Sequence, residues 1–353
     1  MLNNVQNYFK SFLFVLLILP FTGFSQSASE STYAFLNLPY SAREMAMGSN
    51  FLSIYDHDIS LALSNPSLIS SKMHNQLELS FIDYFAGINY GSVSYGRTFE
   101  KLGTFVASMQ FMDYGKFDYA SETGERSGNF YANDYALTIG WSRALSANLF
   151  IGANLKGLYS AYETYRSFGL AVDVATTYLI PENKISASIL FRNIGTQIIT
   201  YTSDTQEALP FEIQAGFSKE LAHLPLRFSV VLTNLQKWDL TYSTNFDEQT
   251  STFTEASTNQ SSSIDSFADK LMRHIILGAE LKPIPALCLR LGYNYLKRKE
   301  MAIATRLSTV GFSWGFGVHI AKFEFNYARN AQHLTPSANY LSISTNLDQF
   351  FSY

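Results

Sequence analysis

The chain has 353 residues, 47% hydrophobic and 15% aromatic, with only 15% charged and a net charge of −4. Its 22 Tyr and 29 Phe exclude a disordered chain, and the lack of any basic run excludes a nucleic-acid partner. A charge content below the roughly 25% of soluble domains, with a mean hydropathy of −0.01, fits a membrane β-barrel, where half of each strand faces a polar lumen.

In chain order, residues 1–25 read as a secretory signal. Lys10 gives the positive flank, Ser11 to Leu19 the apolar core, and Pro20 its end. Gly23 and Ser25 place small residues ahead of a cleavage site before Gln26. The competing reading, a membrane anchor, needs about 20 apolar residues.

Residues 26–75 form a helical plug segment ahead of the strands. Ser41, followed three residues on by Glu44, has the arrangement of a capping box, and Gly48 is placed to end the helix. Asp58 is placed to cap a second short helical stretch up to Ser64. Asn65-Pro66 ends it, because the residue before proline avoids the helix. Arg43 is expected to pair with an acid or with backbone carbonyls, since an unpaired charge in a packed plug is costly.

Residues 76–353 read as an all-β, transmembrane antiparallel barrel. Leu77, Leu79 and Phe81 alternate with Gln76, Glu78 and Ser80. Leu287, Leu289, Leu291, Tyr293 and Tyr295 alternate with Cys288, Arg290, Gly292 and Asn294, and Phe323, Phe325 and Tyr327 with Lys322, Glu324 and Asn326. Period two means strand. The pattern predicts about 14 strands, near 76–84, 87–98, 102–119, 130–144, 148–162, 166–180, 183–193, 211–220, 225–234, 273–282, 286–297, 306–317, 320–330 and 339–348. A count of roughly twelve or sixteen also meets the even-number rule.

Connections after even strands are short, such as Phe99–Lys101 and Pro181–Glu182. The long ones, Ala120–Asn129, Ile194–Pro210, Leu235–Met272, Arg298–Thr305 and Ala331–Ala338, all follow odd strands. Outer-membrane barrels alternate short periplasmic turns with longer external loops, so both termini are expected in the periplasm and lipid is expected around the wall. Asp173 and Glu280 are placed on the lumen side, where a charge avoids lipid.

No catalytic constellation stands out, and neither enzyme activity, cofactor nor metal is expected. The six histidines lack a metal spacing. Asp56-His57-Asp58 is the densest group, but adjacent side chains rarely converge on one ion. Cys288 is the single cysteine and forms no internal disulfide. In the longest loop, Ile264, Phe267, Ala268 and Leu271 share one face of a short helix. Phe246, Phe253, Ile264 and Phe267 are candidate anchors for a partner, with a solvated loop as the alternative.

Ser41-Ala42-Arg43 through Ala46-Met47-Gly48, followed by Asp58, Ala62 and Asn65-Pro66, resembles the N-terminal region of FadL-like barrels of the Bacteroidetes type IX secretion system. So do Phe35 to Pro39, Phe191-Arg192-Asn193-Ile194-Gly195, Leu232-Thr233-Asn234-Leu235 and Tyr327-Ala328-Arg329. Ser49 departs from the family's usual second glycine. The resemblance implies an outer-membrane barrel with its N-terminal segment in or against the lumen. It also implies a non-enzymatic role beside a sortase-like PorU, the shuttle PorV and a large surface protein of the PorZ type, in attaching secreted cargo at the cell surface.

The alternative within the same fold is a transporter of hydrophobic small molecules such as fatty acids. Inferred lumen residues such as Ala136, Thr138, Gly140 and Ser142 favour a small, polar filling over an acyl-chain tunnel.

Overall fold

A computed structural model describes residues 31–121, 123, 125–203, 205–241, 263–301, 309–331 and 337–351. The signal-segment reading therefore lies outside the described residues. Fourteen antiparallel strands close a barrel, each bonded to its chain neighbours and the last to the first. They are β1 (Gln76–Asp83), β2 (Asn89–Phe99), β3 (Gly103–Ala120), β4 (Arg126–Ala144), β5 (Leu149–Tyr162), β6 (Tyr165–Ile180) and β7 (Ile185–Ile199), then β8 (Glu212–Glu220), β9 (Leu226–Leu232), β10 (Ile275–Ile284), β11 (Leu287–Asn294), β12 (Phe312–Ile320), β13 (Phe323–Asn330) and β14 (Asn339–Asn346). The barrel has a turn end, where connections are short, and a loop end.

The two-residue alternation sorts side chains as the sequence predicts. Leu79, Phe81, Leu289, Leu291 and Phe325 point outward and are exposed, whereas Glu78, Ser80, Cys288, Arg290 and Asn326 are buried inside. Among the described residues no helix is long and apolar enough to cross a membrane.

Strand β12 spans Phe312–Ile320 rather than the expected 306–317, and three other expected boundaries differ. Strand β11 stops at Asn294, and Tyr295–Met301 forms a helix, because the Asn294 side chain accepts the Lys297 N–H at 3.0 Å and caps it. The loop expected at 120–129 shrinks to 121–125, because β3 and β4 pair on as a hairpin to Ala120 and Arg126. The loop expected from Ile194 begins after Ile199. A register shift beside Asn193, whose φ is 56°, lets β7 continue along β6.

Five helices complete the described chain: α1 (Ala42–Ala46), α2 (Leu61–Ser64), α3 (Ser263–Arg273), α4 (Tyr295–Met301) and α5 (Asp348–Phe351). Residues 32–75 fill the lumen. Thr32 N–H donates to the Ala208 carbonyl at the loop end, and Asn75 N–H donates to the Gly96 carbonyl toward the turn end. The chain therefore descends through the barrel before entering β1. The last described residue, Phe351, lies at the turn end, and residues before Ser31 lie outside the described ones.

Among the described residues three apolar clusters form the interior, the smallest joining Leu52 to Ala175, Leu190, Val231 and Ile276. Phe35, Leu36, Tyr40 and Met45 pack with wall residues Ile82, Tyr90, Leu158 and Tyr340. Phe51, Ile59, Leu61, Leu68, Ile69 and Met73 pack with Val106. Each such side chain contributes about 1.5–3 kcal/mol when fully buried.

Glycines let the wall approach the plug. A Cβ on Gly152 would lie 2.3 Å from the Pro66 carbonyl carbon, and one on Gly292 would lie 2.0 Å from the Gly48 nitrogen. By contrast, nothing lies within 4 Å of a Cβ on Gly157. Gly152→Val is therefore expected to destabilise the folded barrel by about 1–3 kcal/mol through overpacking, while Gly157→Ala leaves it unchanged or better. Unfolding midpoints in detergent, read by heat-modified gel mobility, compare the two.

Candidate functional site

Arg43 is the centre of the plug. Helix α1 starts at Ser41, whose Oγ accepts the Glu44 N–H at 3.2 Å. The Glu44 carboxylate reaches back one residue further than a capping box predicts, accepting the Tyr40 N–H at 2.7 Å. The helix ends in a left-handed stop at Gly48, with φ 95°. Gly48 N–H donates to the Met45 carbonyl and Ser49 N–H to the Glu44 carbonyl, the two bonds of a Schellman motif. Ser49 itself has φ 76°, which accounts for glycine at that place in the resembled family. Its hydroxyl is used here, accepting from Lys297 Nζ of α4 at 2.7 Å.

The wall completes this helix. Ser342 Oγ on β14 accepts the Ala42 N–H at 2.9 Å, and Ser313 Oγ on β12 accepts the Gly48 N–H at 3.0 Å and donates to the Ala46 carbonyl at 3.2 Å.

From α1 the Arg43 guanidinium makes five hydrogen bonds. Nε donates to Glu280 Oε1 at 2.9 Å. Nη1 donates to Asp56 Oδ1 at 3.0 Å and Asp58 Oδ2 at 2.9 Å. Nη2 donates to Asp56 Oδ2 at 2.7 Å and Glu280 Oε2 at 3.0 Å. A guanidinium has five N–H donors, so none is left over. The ring of Phe51 lies 5.6 Å from its carbon. Glu280 also receives Arg290 Nε at 2.9 Å and Arg227 Nη1 at 3.1 Å. The three arginines thus face three carboxylates. Burial acts to raise the Asp56 carboxyl, but Arg43 beside it holds it well below the usual range.

Asp58 plays two parts. Its Oδ1 accepts the Ser60 N–H at 2.9 Å, capping the turn before α2, and its Oδ2 binds Arg43. The helix proper begins two residues later than expected, with Ser60 in the cap position. Asn65 accepts the Ser67 N–H at 2.9 Å and donates to the Leu52 carbonyl at 2.6 Å, while Pro66 opens a 3₁₀ turn. Of the six plug residues singled out from the sequence, Arg43 and Asp58 bond directly, Ser41 and Gly48 bound the helix that carries Arg43, and Asn65-Pro66 closes α2. Asp56, His57 and Asp58 do not converge: both acids face Arg43, and His57 Nε2 lies 3.5 Å from Glu324. A cavity of about 290 Å³ borders this cluster at the turn end, lined by Arg43, His57, Lys282, Arg290 and Glu324 among others. Among the described residues no group of three or more His, Cys, Asp or Glu is placed to hold a metal ion.

Motif residues elsewhere meet the same plug. Arg192 donates to the Leu36 carbonyl and the Tyr40 hydroxyl. Asn193 receives Lys156 Nζ at 2.8 Å, beside a buried Lys156–Asp173 pair at 2.7 Å.

The candidate docking residues fare differently. Phe246 and Phe253, and the side chain of Ile264, lie outside the described residues. Phe267 is on α3, as the helical spacing predicts, and is 56% exposed. Its neighbour, missed in the sequence, is Trp238, with ring centres 5.4 Å apart.

No protein-family model matches the chain, and no curated protein matches it. Among solved structures it is similar to the Pseudomonas putida toluene transporter TodX, with a TM-score of 0.51 and 12% identity over 87% of this chain and 97% of that one. The TodX deltaS2S3 mutant, titled a monoaromatic hydrocarbon channel, gives a TM-score of 0.53 and 13% identity over 87% and 99%. A Pseudomonas aeruginosa FadL homologue gives 0.45 and 9% over 87% and 98%. The barrel thus has the fold of TodX.

Two outcomes are expected at this site. Arg43→Met leaves three buried carboxylates short of their cation and lowers stability by about 3–5 kcal/mol, and Arg43→Lys recovers only part, since an ammonium cannot reproduce the fork. Unfolding in detergent measures both. Glu44 supplies the second: burial pushes its carboxyl up to about 8. A carboxyl raised in the folded state adds stability that is complete below its unfolded value near 4.5 and is lost as pH rises through about 8. Glu44→Gln should therefore flatten the fall in stability between those two pH values, measured as the unfolding midpoint against pH.

Proposed function

We propose that this chain is a PorQ-like outer-membrane component of a type IX secretion system, anchoring a PorU, PorV and PorZ type surface complex that processes and attaches secreted cargo. In this reading the short turns face the periplasm, the loops face outward, and the exposed apolar wall residues face lipid.

The occupied lumen carries the reading. Residues 32–75 fill it with the chain's own side chains, and Arg43 spends all five donors holding that filling to itself and to Glu280. A plug fixed in this way suits a structural barrel whose working surface is its loop end. There, Trp238 and Phe267 are 49% and 56% exposed, the kind of aromatic pair that anchors partner binding. Of the sequence elements that resemble the secretion-system barrels, Phe35 to Pro39 and Ser41 to Pro66 lie in this plug, and the others lie in or beside wall strands.

A second reading, transport of hydrophobic small molecules, is favoured by the fold shared with TodX, itself a toluene transporter. Fold alone does not select a function.

Replacing both Trp238 and Phe267 by Ser should leave the barrel folded, because neither lies on a strand. It should release a PorZ-type protein from cells and leave type IX cargo unattached. A complete deletion that attaches cargo normally but abolishes uptake of a long-chain fatty acid overturns the anchoring role and installs the transporter in its place.

A further inference from the structure

The wall of this barrel is closed near the turn end but not along its whole height. Strands β3 to β7 have 14 to 19 residues, whereas β8 has 9. β7 pairs with β8 only from Ile185 to Arg192, yet continues along β6 to Ile199. Among the described residues no strand pairs with β7 from Ile194 to Ile199 on its β8 side.

On the opposite flank, β3 outruns β2 beyond Asp113. The two edges differ in chemistry. The β3–β4 hairpin carries Lys116 and an Asp118–Arg126 ion pair at 2.8 Å, and charges on an edge strand deter pairing with another chain. The β7 edge, Ile194-Gly195-Thr196-Gln197-Ile198-Ile199, has no charge. Ile194, Ile198 and Ile199 are 46%, 55% and 58% exposed.

A side chain occupies part of this edge. Gln206 Nε2 donates to the Gln197 carbonyl at 3.1 Å and to Thr196 Oγ1 at 2.6 Å. Its carboxamide supplies to the strand what a neighbouring peptide N–H would supply. Beyond Gln206, Glu207 N–H donates to Gln197 Oε1 at 2.7 Å, Ala208 forms a parallel bridge with Ser31, and the Pro210 carbonyl receives Asn193 Nδ2 at 2.9 Å.

We propose that residues 194–199 of β7 are a strand-addition site for an extended, uncharged segment of another protein, whose main chain displaces Gln206 and continues the sheet. Main-chain bonds give affinity and alternate apolar side chains give preference in this mode. The occupant is a polypeptide because the placeholder is an amide on a strand carbonyl, and it is uncharged because the edge is. The proposal concerns a surface and does not rest on the secretion role.

The test uses the purified full-length barrel in detergent and a fluorescent synthetic peptide, nine residues of alternating valine and threonine, followed by anisotropy. Saturable binding is expected. The same peptide N-methylated at alternate residues keeps its side chains but loses donors, and should not bind. Gln206→Ala should tighten binding by about threefold to tenfold, the worth of one hydrogen bond, and Ile198→Lys should weaken it at least as much. Absence of saturable binding overturns the proposal. So does equal binding of the methylated peptide, which reports apolar adsorption alone, or indifference to both substitutions, which places the peptide elsewhere.

Discussion

A guanidinium inside a closed barrel must find a partner for every N–H, because water cannot reach it freely and a buried unpaired charge is costly. Arg43 meets that demand with two acids from its own segment, Asp56 and Asp58, and one from the wall, Glu280. The wall acid cannot serve one arginine alone without consequence for its neighbours. In register, Glu280 of β10 lies opposite Arg227 of β9 and Arg290 of β11, and Arg290 lies opposite Gly315 of β12. Three strands are thus pinned at one level by a line of alternating charge, and the fourth yields space where Ala46 of α1 approaches. A slip of one residue would turn that whole line to the outer face of the barrel, away from its partners in the plug.

The remaining lumen follows from the same need. A plug with little regular structure carries main-chain groups that its own helices do not satisfy. The wall supplies partners with small hydroxyl and amide side chains: Ser218 to the Ser53 carbonyl, Asn154 to the Ala62 carbonyl, Ser92 to the Tyr40 carbonyl. Where even a serine is too large, the wall has glycine, as at Gly152 against Pro66. The small polar side chains of the wall are thus the complement of the plug backbone.

Much of this was legible in the sequence. Strand count and the facing of side chains follow from period two, because one face of most strands is apolar and the other polar or small, and the loop-length alternation adds an independent signal. The cap at Ser41 and the stops at Gly48 and Pro66 were legible because capping is local chemistry, whereas Asp58 holds the turn before α2 and Ser60 takes its cap position. The partners of Arg43 were not all legible. Glu280 is 237 positions away, and alternation places it inside without saying what it meets there. The helix after Asn294 was missed because Tyr295 continues the apolar alternation for one more step, whereas the side chain of Asn294 decides for a cap. Likewise, the wall glycines show no pattern of their own. Gly292 and Gly315 sit at ordinary inward positions and become meaningful only once Gly48 and Ala46 lie against them.

The plug also explains where the wall stops being closed. A barrel removes strand edges by pairing every strand on both sides, but that holds only while neighbours are equally tall. After β7 the chain would pair back on itself if the next segment ran straight down the outside. Instead, Ala208 is held by the backbone of Ser31 and Thr32, and Leu209 is buried in the same cluster as Tyr33 and Phe35. The connection is therefore committed to the interior, and β8 begins at Glu212, well below the top of β7. Asn193 stands at the branch, its side chain bound to Lys156 and to the Pro210 carbonyl while its main chain turns through a positive φ. The contacts that fill the lumen are thus the same contacts that leave the upper part of β7 without a neighbour, so a change that loosens the top of the plug also frees the loop to cover that edge.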